Sequence, residues 1–271
     1  MLSNIALGRF FPGNSFVHQL DPRVNITLVV VLIITVFWAN NYLSLFINLL
    51  SILVFMSFAK VSFKNYFKNM KAILFIVLVT SALNIFYAKG ALLFKIGPIA
   101  ITKGGFDNSV FVAGRLVMLI LISSLLTFTT SPTDLTDALE RILKPLAVFK
   151  IKTHELAMMM SIAMRFVPTL LEEADKIIDA QKARGADMES GNALNRIKAL
   201  VPILVPLLVA SFRRAFDLAL AMECRCYNGG EGRTKMKVLH ICSNDVFAIF
   251  AVAAVLLIVL WSNFWGLAVY L

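Results

Sequence analysis

The chain has 271 residues, is 59% hydrophobic with a mean hydropathy of +0.81, and carries a net charge of +10. An apolar share well above the roughly 45–50% of soluble domains excludes an ordinary water-solvated surface and points to one that faces lipid. Only 15% of the residues are charged, and they cluster between long uncharged runs, which is the pattern that bilayer insertion imposes.

About two dozen mixed residues precede the first apolar run and no small-residue cleavage site follows it, so that run is expected to stay in the protein. Five segments are apolar enough to cross a hydrocarbon core, which takes about 17–25 helical residues. They lie near Asn25 to Ala39, Tyr42 to Ala59, Ala72 to Ala88, Val110 to Thr130 and Asp245 to Trp265. The expected class is an all-α integral membrane protein of about five transmembrane helices. Its organisation reads as an N-terminal membrane domain over 1–130, a helical insert over 131–243 and a closing transmembrane helix over 244–271.

Basic residues stay on the cytoplasmic side of a membrane. Lys60, Lys64, Lys68 and Lys71 therefore place the second loop inside, and with it the N-terminus and the insert; alternation then puts the C-terminus outside, in the cell membrane. Between the third and fourth spans, Ile96-Gly97-Pro98-Ile99 sits between short apolar runs and predicts a small hairpin or re-entrant element. Lys89, Lys95 and Lys103 on this outer side run against the charge rule. Arg115 is the one charge well inside a predicted span, where it marks either a functional site or a side chain snorkelling to the near interface.

The insert holds 16 of the 26 basic and 13 of the 16 acidic residues, a balance of +3. Such mixed charge argues for protein partners and against nucleic acid. Ser131-Pro132-Thr133-Asp134 supplies an N-cap, a first-turn proline and a first-turn acid, and Pro145 ends the short helix that follows. A second helix is expected from Thr153 to about Lys182, with Val167, Leu170, Leu171, Ala174, Ile177 and Ile178 on one face. A third runs from about Ala193 to Glu223, striped by Leu194, Ile197, Leu200, Val201, Leu204, Leu207 and Leu208. Pro168, Pro202 and Pro206 are expected to bend these helices without ending them.

Each long helix closes on an arginine among small residues: Ala183-Arg184-Gly185 and Cys224-Arg225-Cys226. Gly185 suits the left-handed residue that stops a helix. If the two helices run antiparallel, their arginines lie about one helix length apart. An arginine there also satisfies the last carbonyls and the macrodipole. The recurrence of one pattern at two tips favours docking of two similar partners.

Pro12-Gly13-Asn14-Ser15, His18-Gln19-Leu20-Asp21-Pro22-Arg23, Arg165-Phe166-Val167-Pro168, Ala183-Arg184-Gly185 and the Arg225 copy occur in this order over essentially the whole chain. Together they resemble the T component of energy-coupling factor transporters, the EcfT/CbiQ-like family. The resemblance implies a non-enzymatic scaffold between two ABC-type ATPases and a small membrane-embedded S component that captures a vitamin or other micronutrient. It also implies that Ala183, Arg184 and Gly185, and Cys224, Arg225 and Cys226, dock into grooves of the ATPases. The second tip departs from the family's small-Arg-Gly form in its two cysteines. ATP and magnesium would be held by the ATPases, with no cofactor in this chain.

Met158, Met159, Leu200, Leu204, Leu207 and Leu208 are candidates for a platform under the S component, although such stripes also serve simply to pack helices together. Cys224, Cys226 and Cys242, like His18, His154 and His240, form no metal-ligand spacing. Asn228 to Arg233 is glycine-rich but lacks the phosphate-loop lysine. A dedicated cobalt or nickel importer would use a similar T component. A self-contained secondary transporter would need ionisable groups at the midplane, and a membrane enzyme would need a catalytic constellation; the spans offer neither.

Overall fold

The computed structural model describes residues 10–87, 92–96, 99–149, 153–185, 193–229, 240 and 242–270. In chain order these form α1 (Pro22–Trp38), α2 (Tyr42–Ala59), α3 (Phe63–Tyr87), a hairpin of β1 (Leu92–Ile96) and β2 (Ile99–Thr102), then α4 (Lys103–Thr129), α5 (Pro132–Leu143), α6 (Thr153–Ala183), α7 (Ala193–Glu223) and α8 (Ser243–Tyr270). The protein is helical apart from that hairpin among the described residues, an all-α membrane architecture. The chain divides into two compact units, one of Arg9–Leu135 with Leu239–Leu271 and one of Met1–Gly8 with Thr136–Val238.

The first unit is a bundle of α1 to α4 and α8. Among the described residues, three of its helices are long and apolar enough to cross a membrane: Tyr42–Ala59, Gly104–Thr129 and Ser243–Phe264. The bent pair Phe63–Lys71 and Ile73–Ile85 makes a fourth candidate, and Pro22–Trp38 is a shorter apolar helix. Its 17 residues reach about 26 Å, the lower end of what a bilayer core requires. Lipid exposure explains why large side chains such as Phe46, Phe75, Phe250 and Leu257 point outward while the bundle interior is also apolar.

Leu28, Leu32 and Val36 of α1 pack with Ile52 and Met56 of α2, Met118, Ile122 and Leu125 of α4, and Ala248 and Val252 of α8. Two polar pairs lie inside this core, since burial in a low-dielectric medium favours paired groups, while the buried Tyr66 hydroxyl has no partner among the described residues. Asn48 accepts from the Thr35 hydroxyl at 2.9 Å. Asn25 donates to Thr130 Oγ1 at 2.8 Å.

Local signals set most helix ends. Asp21 caps α1, accepting from the Arg23 N–H at 3.0 Å, with Pro22 at the first helical position. Asn41 and Ser44 form a capping box on α2, which ends on Lys60 in the left-handed region at φ 52°. The hairpin pairs Ile96 with Ile99 in antiparallel register; the Gly97–Pro98 step between them lies outside the described residues. α3 begins at Phe63, nine residues before the expected span, because Lys64, Lys68 and Lys71 lower hydropathy without breaking the helix. These lysines are exposed while Tyr66 on the same turns is buried against Phe128 at 5.0 Å.

Arg115 reaches across the bundle to the end of α1. Its Nη2 donates to the carbonyl of Ala39, the C-cap of α1, at 3.0 Å, and its guanidinium lies 5.8 Å from the Phe37 ring. A cation on the orphan carbonyl end of a helix offsets its dipole. Asn263 of α8 donates to the neighbouring Trp38 carbonyl at 2.6 Å, so two other helices finish α1.

In the second unit, α6 and α7 cover the expected ranges, and Pro168, Pro202 and Pro206 lie inside unbroken helices. α5 opens on Ser131, whose hydroxyl oxygen accepts the Asp134 N–H at 3.1 Å. It passes into a 3-10 turn at Lys144–Phe149 around Pro145. His154 at the start of α6 is 3.1 Å from the Glu140 carboxylate of α5. Ala174 is buried and Val167, Leu170, Leu171, Ile177 and Ile178 are half-buried, while Glu172, Lys176 and Asp179 are exposed. Glu173 of α6 and Arg214 of α7 form an ion pair between the two long helices.

Candidate functional site

The two arginine tips are built alike. At the end of α6 the Arg184 N–H reaches Ala180 O at 3.2 Å and Gln181 O at 3.1 Å, and the Gly185 N–H reaches Lys182 O at 2.9 Å. Gly185 is left-handed at φ 84°. At the end of α7 the Arg225 N–H reaches Met222 O at 3.1 Å and the Cys226 N–H reaches Glu223 O at 2.8 Å. The Tyr227 N–H then closes on Met222 O at 3.0 Å. Cys226 is left-handed at φ 56°.

The bonds at Cys226 and Tyr227 are those of a Schellman motif, with Arg225 as the C-cap and Cys226 as the residue after it. Arg184 and Gly185 hold the same two places on α6. The replacement of glycine by cysteine therefore leaves the arginine's backbone setting unchanged, although the left-handed conformation costs a side-chain residue about 1–2 kcal/mol.

Cys226→Gly is accordingly expected to stabilise the α7 tip by about 0.5–1 kcal/mol, the left-handed penalty less the extra entropy of an unfolded glycine. Amide exchange at Tyr227 would read this as a slowing of roughly two- to fivefold. Unchanged exchange would show that Cys226 carries no strain.

Arg184 and Arg225 are exposed, as are Ala183, Gly185, Cys224 and Cys226 beside them. Neither guanidinium has a side-chain partner among the described residues. Each tip lies eleven residues C-terminal to its helix's member of the Glu173–Arg214 pair, about 16 Å along the helix. The pair thus anchors two prongs of equal length. A guanidinium presents five donors in a planar fork, and small neighbours let a partner's backbone come close. This arrangement can bind carboxylates or carbonyls. Among the described residues no cluster of His, Cys, Asp or Glu could hold a metal ion, and all three cysteines are exposed free thiols.

The candidate platform residues divide by exposure. Leu200, Leu204 and Leu208 of α7 are exposed and Leu207 is half-buried, while Met159 of α6 is exposed and Met158 is half-buried. The stripe does not stop there: Val205, Val209, Phe212 and Phe216 continue it and are also exposed. The sequence signal for them is the continued spacing of three and four residues toward the tip, past Arg213 and Arg214. Leu194 and Ile197 have side chains outside the described set.

The N-terminal motif forms a self-tied loop leading into α1. His18 donates through Nε2 to Phe11 O at 2.9 Å and accepts the Ser15 hydroxyl at Nδ1 at 2.6 Å. A Cβ at Gly13 would stand 3.3 Å from the His18 ring, a tight contact that the ring would have to shift to relieve. Phe11 N–H bonds to Phe128 O at 3.1 Å, fastening the loop to α4.

The family model described as "Cobalt transport protein", CbiQ, matches residues 13–236. The energy-coupling factor transporter transmembrane protein EcfT of Clostridium kluyveri is 46% identical over 267 residues, covering 98% of this chain and 99% of that protein. EcfT of Thermosediminibacter oceani is 45% identical over 250 residues, 92% of this chain and 94% of that protein. EcfT of Listeria innocua is 42% identical over 262 residues, 96% and 99% of the two chains. From the glycine-bearing N-terminal loop through both arginine tips, the chain belongs to the CbiQ family of energy-coupling factor transporter transmembrane proteins.

Proposed function

We propose that this chain is the coupling subunit of an energy-coupling factor importer, carrying ATP-driven motion from two ATPase subunits to a substrate-capturing S component for vitamin or micronutrient uptake. The observation that carries the reading is the pair of exposed C-cap arginines, unpaired among the described residues, in the same backbone setting and at equal distances from one ion pair. Two equal prongs suit two similar grooves. In this reading α5 to α7 lie on the cytoplasmic side with the N-terminus, and the C-terminus lies outside. ATP and magnesium belong to the partners.

The exposed α7 face from Leu200 to Phe216, with Met158 and Met159 of α6, is the surface for the S component. Contiguous apolar exposure of this size needs a covering partner or lipid. A dedicated cobalt or nickel importer is the second reading, favoured by the description of the matching family model.

Affinity purification of the tagged full chain in mild detergent tests the proposal. The expected result is recovery of two ABC-type ATPases and a small hydrophobic subunit. A single constant small subunit would favour the metal importer, and several alternative ones a shared vitamin module. A solitary chain that transports alone would overturn the coupling role.

A further inference from the structure

Two cavities of opposite character adjoin at the Lys60 end of the membrane bundle. One, of about 460 Å³, is lined by the N-terminal loop and the α2–α3 connection, with Asn14, Ser15, His18, Lys60, Ser62 and Asn65 as its polar walls. No carboxylate lines it, and Lys60 is exposed with no side-chain partner among the described residues. The other, of about 410 Å³, is an almost wholly apolar groove between α2 and α8. Ser15 and Phe16, next to each other in the chain, line the first and the second respectively, and so do Ala59 and Phe58. The Phe16 ring lies 6.1 Å from Phe58 and 6.2 Å from Phe247, at the junction.

The groove follows α2 from Ile47 to Phe58 and α8 from Phe247 to Ile258, twelve residues of each. That is about 16 Å of helix, half of a hydrocarbon core about 30 Å thick. Its length is therefore that of one leaflet, and its polar end is cationic. We infer that the two cavities form a binding site for one anionic phospholipid, its acyl chain in the α2–α8 groove and its phosphate headgroup on Lys60. Both walls belong to helices long and apolar enough to span the membrane, so the groove faces acyl chains wherever no protein covers it. Charge complementarity selects the headgroup: a single ammonium facing no acid attracts a phosphate diester bearing net charge over a zwitterionic one. The loop that His18 ties shut serves this site by holding Asn14 and Ser15 against the end of α2.

The test uses the full chain, purified with any subunits that copurify. It is washed of loose lipid, incubated with mixed phosphatidylcholine and phosphatidylglycerol of identical acyl chains, and weighed by native mass spectrometry. The wild type is expected to keep one phosphatidylglycerol in preference to phosphatidylcholine. Lys60→Gly is expected to reduce that retention about fivefold, the effect of one juxtamembrane cation. Because Lys60 is left-handed at φ 52°, glycine suits the backbone there and lost folding would not explain the result. Lys60→Arg should restore retention, and Ala251→Trp, which fills the groove, should displace both lipids. Equal retention of the two lipids by the wild type, or undiminished phosphatidylglycerol on Lys60→Gly, would overturn the site. So would a photo-crosslinker at Ser51 that labels a polypeptide in place of lipid.

Discussion

Replacing Arg184 and Arg225 together by alanine is expected to abolish copurification of ATPases and to reduce ATP-driven uptake in reconstituted vesicles to background. Buried interface arginines cost about 2 kcal/mol or more on truncation, about thirtyfold in affinity for each groove. Both side chains are exposed and make no side-chain bond among the described residues, so their removal leaves the helices intact. Each single variant should loosen one ATPase and still impair uptake, if the proposed coupling runs through both tips. Lysine at either tip keeps the charge but loses the planar fork, and should give an intermediate loss. Unchanged uptake by the double variant would refute docking through these tips.

Asp245→Ala should produce the largest loss of stability in the membrane bundle. Asp245 is fully buried, and its carboxylate accepts the Asp21 N–H at 2.8 Å and the Cys242 N–H at 2.7 Å. The second bond caps α8, with Asp245 at the third helical position reaching back as in a capping box. The first ties the start of α8 to the start of α1. Alanine leaves two buried donors unmet, at about 1–3 kcal/mol each, against a total stability on the order of 5–15 kcal/mol. A fall in the thermal unfolding midpoint of about 5 °C or more is expected for the detergent-solubilised protein. Asp245→Asn keeps one acceptor oxygen but turns an amide toward a donor, so it should fall between wild type and alanine. An unaltered midpoint for Asp245→Ala would show that the α1–α8 clasp contributes little.

Helices α5, α6 and α7 were readable from residues because their boundaries rest on local chemistry. Ser131 and Asp134 cap α5 through groups three residues apart, and Gly185 stops α6 by its own conformation. Cys226 was not readable as a left-handed residue, since cysteine has no preference for that region; the hydrogen bonds of its neighbours hold it there. The early start of α3 was hidden for a different reason: hydropathy measures solvent preference, and Lys64, Lys68 and Lys71 are good helix formers that prefer water. Of the α7 stripe, periodicity found the part up to Leu208 but not its continuation through Phe212 and Phe216, nor which residues face outward, since a striped helix can turn its apolar face to a neighbour or away from one.

The residues alone decide that the chain enters a bilayer, where α5, α6 and α7 begin and end, and that two similar arginine tips exist, because hydropathy and capping act within a few residues of the chain. The packed bundle alone decides that Arg115 finishes α1 at Ala39, 76 residues away, and that Asp245 joins Asp21 across 224 residues. It alone sets the apolar groove beside Lys60. Buried donors and acceptors must find partners, yet which one each finds depends on how helices distant in sequence come to lie side by side.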